Sequence, residues 1–198
     1  MLVLVRHGRT EWNREGRLVG RHDVALDEVG RVQARRLAAH LGTVRELRTS
    51  PLRRAVETAQ LLDTGFTPLV DDAFVELDYG SLEGRTLDEV EPAHWAAVRE
   101  HPATRWPGGE SLADVQARVA SACASLFARA GEGARADDGD VVVVSHVSPI
   151  KAAVAWAIGA EATVAVRLQL DNGSITTIAW RRGTPVLLHY NLVPTAPS

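Results

Sequence analysis

The sequence contains a single cysteine, Cys123, which excludes an internal disulfide and a cysteine-based zinc site. Its neighbours Val119, Ala122 and Leu126 recur at helical spacing, so we expect a buried thiol without a chemical role. Long apolar runs are also absent: none approaches the roughly 20 residues that cross a bilayer, so we expect no membrane partner. A strand-like run directly after Met1 leaves no room for a signal peptide, which favours a cytoplasmic protein.

The sequence also lacks a strong excess of charge of either sign. Its 22 Lys and Arg residues face 25 Asp and Glu residues, and the net charge is −3. Nucleic-acid binding usually requires a strongly basic face, so this balance argues against a nucleic-acid partner. With 198 residues, 45% of them hydrophobic, the chain is long enough for a substantial core, and we expect a single domain over residues 1–198.

The apolar pattern predicts an α/β fold. Continuous apolar runs at Leu2–Val5 and Val141–Val144 are typical of strands buried on both faces of a parallel sheet. The other predicted elements are strands around 46–49, 67–70, 175–180 and 186–190, a polar loop at 131–140, and helices over about 27–41, 51–62, 148–158 and from 111 onwards. We therefore predict three α/β/α layers around a mostly parallel sheet.

Local patterns predict helix starts and one insertion. Ser50-Pro51 and Ser148-Pro149 each resemble an N-cap followed by proline at the first helical position. Ser111 with Asp114 three residues later resembles a capping box. Glycines and prolines interrupt residues 71–109, so we expect an irregular insertion there that covers one edge of the sheet as a lid.

Basic residues and histidines follow three of the predicted strands. Arg6 and His7 follow the first strand, Arg54 lies early in the helix after the second, and His146 follows the strand at 141–144. Open α/β sheets bind ligands beyond the carboxyl ends of their strands, and helix N-termini favour anions. The pattern indicates an anion pocket, although a lone histidine at a strand end is more often structural than catalytic and an arginine in a first helical turn is usually solvated.

Six motifs occur in a fixed order along the chain. They are Arg6-His7-Gly8-Arg9-Thr10-Glu11-Trp12-Asn13, Gly16-Arg17-Leu18-Val19-Gly20, Thr49-Ser50-Pro51-Leu52-Arg53-Arg54-Ala55, Glu76-Leu77-Asp78-Tyr79-Gly80, Pro107-Gly108-Gly109-Glu110-Ser111 and Val143-Val144-Ser145-His146. Together they resemble the histidine phosphatase superfamily, which also contains the cofactor-dependent phosphoglycerate mutases. The resemblance implies a phosphoglycerate mutase-like fold.

The resemblance also implies a set of catalytic residues. His7 corresponds to the nucleophile, and Glu76 corresponds to the proton donor. Arg6, Arg54 and His146 correspond to the groups around the phosphoryl group, where His146 serves best when protonated. Because Arg6 adjoins His7, its charge disfavours the protonated, non-nucleophilic form of that histidine.

Further positions concern substrate binding. Asn13 corresponds to a residue that reaches the phosphate or the substrate. In the arginine pair, the residue directly before the alanine is the functional one, which selects Arg54. Val147 stands where a glycine usually follows the second histidine, and its backbone N–H stays available for substrate. Arg21 and His22 either shape the substrate entrance or are solvated loop residues.

The resemblance implies a phosphomonoesterase that acts on small phosphorylated metabolites through a covalent phosphohistidine. It needs no metal and no cofactor, because clustered arginines supply positive charge and no carboxylate set resembles a magnesium site. One alternative is a phosphoglycerate mutase, although mutases are typically longer and carry a basic residue where Leu77 follows Glu76. The second alternative is a non-catalytic phosphate-binding module. The presence of Glu76 argues against it, because such a module would not need a proton donor. The sequence does not identify the natural substrate, and it leaves open whether the protein forms a homodimer.

Overall fold

Within residues 1–130 and 139–195, which the computed structural model describes, six strands form one mixed sheet between two layers of helices. The strands are β1 (Leu2–Arg6), β2 (Val44–Thr49), β3 (Leu69–Val70), β4 (Asp140–Ser145), β5 (Ile175–Arg181) and β6 (Thr184–Leu192). The α-helices are α1 (Glu11–Arg14), α2 (Glu28–Ala38), α3 (Arg53–Leu61), α4 (Pro92–Glu100), α5 (Leu112–Ala130) and α6 (Val147–Ala157). Short 3₁₀-helices cover Asp72–Phe74, Gly80–Leu82, Leu87–Glu89 and Ala162–Arg167.

The strand order is β3-β2-β4-β1-β5-β6. The first four strands of this order are parallel to one another, whereas β5 runs antiparallel to β1 and β6 antiparallel to β5. At the centre of the sheet Arg6 of β1 is in register with Ser145 of β4. The residues that directly follow these two strands therefore meet at the same edge.

Both faces of the central strands are buried, as the apolar runs predict. Leu4 of β1 and Val143 of β4 belong to the core beneath α5 and α6. Val5 and Val144 point the other way, into the core beneath α2 and α3. Burial of each such side chain contributes about 1.5–3 kcal/mol, so the two cores hold the strand ends firmly. The three-layer α/β fold with a mostly parallel sheet is confirmed.

Both predicted cap-and-proline helix starts are wrong by two residues. Helix α3 begins two residues later than predicted, with Leu52 as its N-cap. The Ser50 hydroxyl is occupied by the ring of His146, 2.7 Å away. Helix α6 begins two residues earlier than predicted, because His146 itself is the N-cap in an extended conformation. At the other end of α6, the apolar side chain of Ile158 is half exposed.

Residues 71–109 are more regular than predicted. Helix α4 begins at Pro92, the best-tolerated position for proline, and only its Val98 is fully buried. Phe74, Leu77 and Trp106 are also buried in the core beneath α5 and α6. The segment therefore supplies part of the core, and its role as a lid stays a prediction.

The start of α5 is confirmed. The Ser111 amide donates to the Asp114 carboxylate at 2.9 Å, and the Asp114 amide donates to the Ser111 hydroxyl at 3.2 Å. Cys123 of this helix is buried as expected, and burial raises the pKa of its thiol to about 12. The polar loop predicted at 131–140 lies outside the described residues except for its last two. Across the described ranges, no helix combines the length and the apolar character needed to span a bilayer.

Candidate active site

The carboxyl edge of the sheet brings together the five residues predicted to act in catalysis. His7 and His146 follow the paired ends of β1 and β4, and their ring centroids lie 5.0 Å apart. Arg54 comes from the first turn of α3, directly after β2, and donates to His7. Glu76 reaches the first residues of α6. Arg6 is the last residue of β1.

His7 is held in one tautomer. Its Nδ1–H donates to the Gly8 carbonyl at 2.7 Å, so Nε2 carries the lone pair. Arg54 Nε lies 3.3 Å from this Nε2 and donates to it. Burial, then the charges of Arg54 and Arg6, lower the pKa of His7 well below its usual 6.5. The ring is therefore neutral at pH 7, with Nε2 as its nucleophilic atom.

Arg54 is a fully buried guanidinium held by main-chain carbonyls. Its Nη1 donates to the His22 carbonyl at 2.9 Å, and its Nη2 donates to the Gly20 carbonyl at 2.7 Å. Burial lowers its pKa to about 10, which leaves it charged at neutral pH. This set of contacts fixes the guanidinium beside His7.

The loop that holds Arg54 is itself tied down by Glu83. The Glu83 carboxylate accepts the amides of Arg21 and His22 at 2.6 and 2.9 Å. The Arg21 side chain pairs with Glu110 at 3.1 Å, and the His22 ring stacks on Trp12 at a centroid distance of 4.5 Å. The main chain of this loop thus positions Arg54, a role that the sequence analysis missed.

Glu76 lies at the N-terminus of α6. Its Oε2 accepts the Val147 amide at 3.1 Å, and its Oε1 accepts the Ser148 amide at 3.1 Å and the Leu77 amide at 2.7 Å. Free amides and the helix dipole favour a carboxylate there. The Val147 N–H, predicted to bind substrate, therefore donates to Glu76 in this structure.

Two buried nitrogen atoms near His7 lack partners among the described residues. They are Arg6 Nε and His146 Nδ1. Arg6 Nη1 donates to the Leu170 carbonyl at 2.6 Å, and His146 Nε2 lies 2.7 Å from the Ser50 hydroxyl. An unsatisfied buried polar group costs about 1–3 kcal/mol. These two atoms therefore suit a ligand that supplies acceptor oxygens.

His146 carries no positive charge of its own in this fold. Burial is the main cause that lowers the pKa of His146 well below 6.5, and the charge of Arg54 adds to it. Arg6 keeps its charge at neutral pH, because burial lowers its pKa only to about 10. The positive charge around His7 is therefore carried by Arg6 and Arg54.

Asn13 is only partly available for a ligand. Its Oδ1 accepts the Thr10 amide at 3.1 Å and the Asn172 side-chain amide at 3.2 Å. The NH₂ group of Asn13 is the part that can still donate to a phosphate oxygen. Asn172 also donates to the His7 carbonyl at 3.3 Å, and it lies beyond the last motif, where no sequence signal marks it.

Gly8 and Gly30 allow the loop that carries His7 to pack closely against α2. A Cβ on Gly8 would lie 2.2 Å from the Gly30 carbonyl oxygen, and a Cβ on Gly30 would lie 2.0 Å from the Arg9 carbonyl oxygen. The Gly8 amide also donates to the Thr58 hydroxyl at 3.1 Å. The loop after β1 can therefore approach α2 this closely only because both positions are glycine.

Metal ligands are not grouped in the described part of the chain: no set of three or more His, Cys, Asp or Glu there could hold an ion.

The comparison with known families agrees with this geometry. Residues 2–193 match the model of the histidine phosphatase superfamily, branch 1. The chain belongs to this superfamily.

Individual relatives carry different activities in their names. The chain is 36% identical to the bifunctional protein Rv2228c of Mycobacterium tuberculosis over 88% of this chain and 49% of that protein. It thus spans about half the length of that relative. It is 33% identical to a probable phosphoglycerate mutase, GpmB, of an Enterobacter species, over 91% of this chain and 85% of that one. The solved mycobacterial glucosyl-3-phosphoglycerate phosphatase Rv2419c in complex with VO3 superposes with a TM-score of 0.85 at 34% identity, covering 96% of this chain and 98% of that one.

Proposed function

We propose that the chain is a phosphomonoesterase that hydrolyses small phosphorylated metabolites through a covalent phosphohistidine on His7. The observation that carries the proposal is the buried, neutral His7, whose Nε2 lone pair lies beside the Arg54 guanidinium. The unpartnered Arg6 Nε and His146 Nδ1 add two donors for phosphate oxygens. The related mycobacterial phosphatase is similar to this chain and was solved with VO3, itself an oxyanion.

The proposed reaction has two displacements. In the first, His7 Nε2 forms a bond to phosphorus while the bond from phosphorus to the ester oxygen breaks. The bound phosphate dianion favours a proton on Glu76, which passes it to the departing oxygen, and this oxygen leaves as an alcohol. In the second, water attacks the phosphohistidine, and the Glu76 carboxylate takes the proton of the water. The products are inorganic phosphate and free His7.

The cationic groups act on the phosphoryl oxygens. Arg6 and Arg54 meet the charge that develops on these oxygens in each transition state. A bound phosphate dianion favours protonation of His146, which then becomes a third cationic donor. The amide of Asn13 contributes a neutral donor. Because charge is supplied by side chains of the protein, the proposal includes no metal and no cofactor.

A phosphoglycerate mutase is the second candidate, favoured by the similarity to the Enterobacter protein. A mutase returns the phosphoryl group to the substrate instead of to water. Leu77 lies in the apolar core directly after Glu76, where the mutases carry a basic residue. This difference supports hydrolysis.

Location and partners belong to the same proposal. We propose a cytoplasmic enzyme whose partner is a small phosphorylated substrate rather than nucleic acid or membrane. The net charge of −3 argues against a nucleic-acid partner, and the free thiol of Cys123 fits a reducing compartment. Cell fractionation tests the location, and light scattering on the purified protein tests whether it is a homodimer.

The decisive experiment measures phosphate release and phosphoenzyme formation together. The protein should release phosphate from p-nitrophenyl phosphate in the presence of EDTA and show little conversion of 3- to 2-phosphoglycerate. His7→Ala should abolish both turnover and labelling by the ester, whereas replacement of His40, an exposed histidine two residues beyond the end of α2, with alanine should keep both. Turnover that EDTA removes and magnesium restores would overturn the proposal. Efficient mutase activity with negligible free phosphate would reverse the ranking of the two candidates.

A further inference from the structure

A cavity of about 310 Å³ opens beside the proton donor. Its wall includes Leu77, which follows Glu76, and Val147 and Ser148, whose amides hold the Glu76 carboxylate. Its volume lies at the lower end of pockets that hold small ligands. The cavity therefore lies next to residues that hold or follow Glu76, the group that would protonate a departing alcohol.

A second chain segment joins the cavity to the nucleophile. Leu168 and Gln169 line the cavity, and the next residue, Leu170, accepts the hydrogen bond from Arg6. Asn172, two residues further on, donates to the His7 carbonyl. Two parts of the chain therefore contact both the cavity and the groups around His7. One is the start of α6, whose amides bind Glu76, and the other is the segment 168–172.

Most of the side chains in the cavity wall are apolar. Trp106 is buried, with Tyr79 and Trp95 packed edge-on against it at centroid distances of 4.8 and 5.0 Å. Leu77 and Val98 of the wall are core residues as well. Because these core residues form part of the wall, that part of the cavity is preformed and favours an apolar occupant.

The charge in the cavity has one sign. Among the described residues that line it, the charged side chains are Lys151 and Arg99. Lys151 is the only lysine in the sequence and comes from α6, one turn after the amides that hold Glu76. Arg99 is exposed at the end of α4. Burial lowers the pKa of Lys151, the Glu76 charge opposes this effect, and an added anion in the cavity would favour the ammonium form.

We propose that this cavity binds the leaving group of the substrate and selects leaving groups with an apolar, ring-sized body and an anionic group. The anion would pair with Lys151, while the ring would lie against the aromatic wall. A leaving group that carries an ammonium would be repelled by Lys151 and Arg99, and a small polar one would leave the apolar wall uncovered. This inference rests on the proposed phosphatase function.

The test uses three esters that differ only in the distal charge. Benzyl phosphate, 4-carboxybenzyl phosphate and 4-(aminomethyl)benzyl phosphate all release a benzylic alcohol, so their demand on the proton donor is nearly equal. We expect kcat/KM for the carboxylate to exceed that for the ammonium at least tenfold, or about 1.4 kcal/mol. O-Phosphoserine should be poorer than the carboxylate.

Two charge-matched variants locate the effect. Lys151→Met should reduce the carboxylate-to-ammonium ratio towards one. Arg181→Met also removes one positive charge, but at the end of β5 that is remote from the site. Ile175, at the start of β5, pairs with Val5 near the site, whereas Ile178 already pairs with Leu2 at the opposite end of β1. This control should keep the ratio. A flat profile across the three esters, or a ratio that survives in Lys151→Met, would overturn the inference.

A binding measurement keeps the inference separate from the proposed function. Reductive ¹³C-methylation labels Lys151 and the N-terminus only, so its NMR signal reports the cavity without turnover. The product 4-(hydroxymethyl)benzoate should shift the Lys151 signal, and benzyl alcohol should shift it less. If no ester, including p-nitrophenyl phosphate, is hydrolysed but this shift occurs, the phosphatase proposal fails and the binding cavity stands. Turnover without any shift would reject the cavity alone.

Discussion

Replacing Arg54 with alanine tests the geometry of the site most directly. The guanidinium contacts His7 Nε2 at 3.3 Å, and it is a charged group fixed in place before substrate binds. Loss of one such donor typically lowers kcat by 10²–10³, or about 2.7–4 kcal/mol. We therefore expect Arg54→Ala to lower kcat for p-nitrophenyl phosphate by a factor on the order of 100 or more.

Two further consequences follow from the same contacts. The carbonyls of Gly20 and His22 would lose their donor, which lowers the stability of the fold by about 1–3 kcal/mol for each buried acceptor left unpaired.

The same substitution should change the pH dependence of kcat/KM. Arg54 is, after burial, the largest cause that lowers the pKa of His7, so its removal raises that pKa. Since protonated His7 cannot attack, the acidic limb of kcat/KM should move to higher pH.

The neighbouring Arg53 is a matched control. Its side chain is exposed and pairs with Glu57 at 2.6 Å on the surface of α3, a contact worth about 0.3–0.5 kcal/mol. Arg53→Ala should keep kcat and the acidic limb. Both variants are assayed across the pH range at a temperature where circular dichroism shows them folded. A larger loss in Arg53→Ala, or an acidic limb that Arg54→Ala leaves in place, would refute the assignment of Arg54.

The remaining predictions concern Glu76 and the two buried histidines. Glu76→Gln should slow the first step about 100-fold or more with an alkyl phosphate and only modestly with p-nitrophenyl phosphate, whose leaving group needs little protonation. Phosphoprotein should then accumulate with the aryl ester, as measured by intact mass after an acid-free quench, and equal losses with both esters would remove Glu76 from this role. His7 and His146 have pKa values well below 6.5 in the fold, so below pH 6.5 the unfolded chain binds more protons than the folded one. The free energy of unfolding in urea should therefore fall as the pH drops below 6.5, and less steeply in His146→Gln; an unchanged slope would contradict the neutral state of His146.

The sequence predicted the strands at the site because their signal is local. Continuous apolar runs such as Val141–Val144 are buried on both faces, and few other elements have that pattern. The positions of His7 and His146 followed from the same runs, since the ends of neighbouring parallel strands meet. The ordered motifs then assigned Arg54 rather than Arg53, and the structure places Arg54 against His7.

Other features depend on contacts that are distant in sequence. Helix α4 was missed because it begins with a proline and buries only Val98 fully, so its sequence shows no apolar stripe at helical spacing. The start of α3 was misplaced because Ser50 bonds to His146, 96 residues away, instead of capping α3. The carbonyls of Gly20 and His22 are main-chain atoms, so no residue type reveals that they hold Arg54.

The contact between Gly8 and Gly30 has a consequence for mutational scanning and library design. Gly30 touches no group of the phosphoryl pocket, yet any side chain there meets the Arg9 carbonyl at 2.0 Å and pushes against the loop that carries His7. In a scan scored by activity, position 30 should therefore behave like a pocket position, although it lies on a surface helix. Libraries that aim at new substrates should therefore hold Gly30 constant.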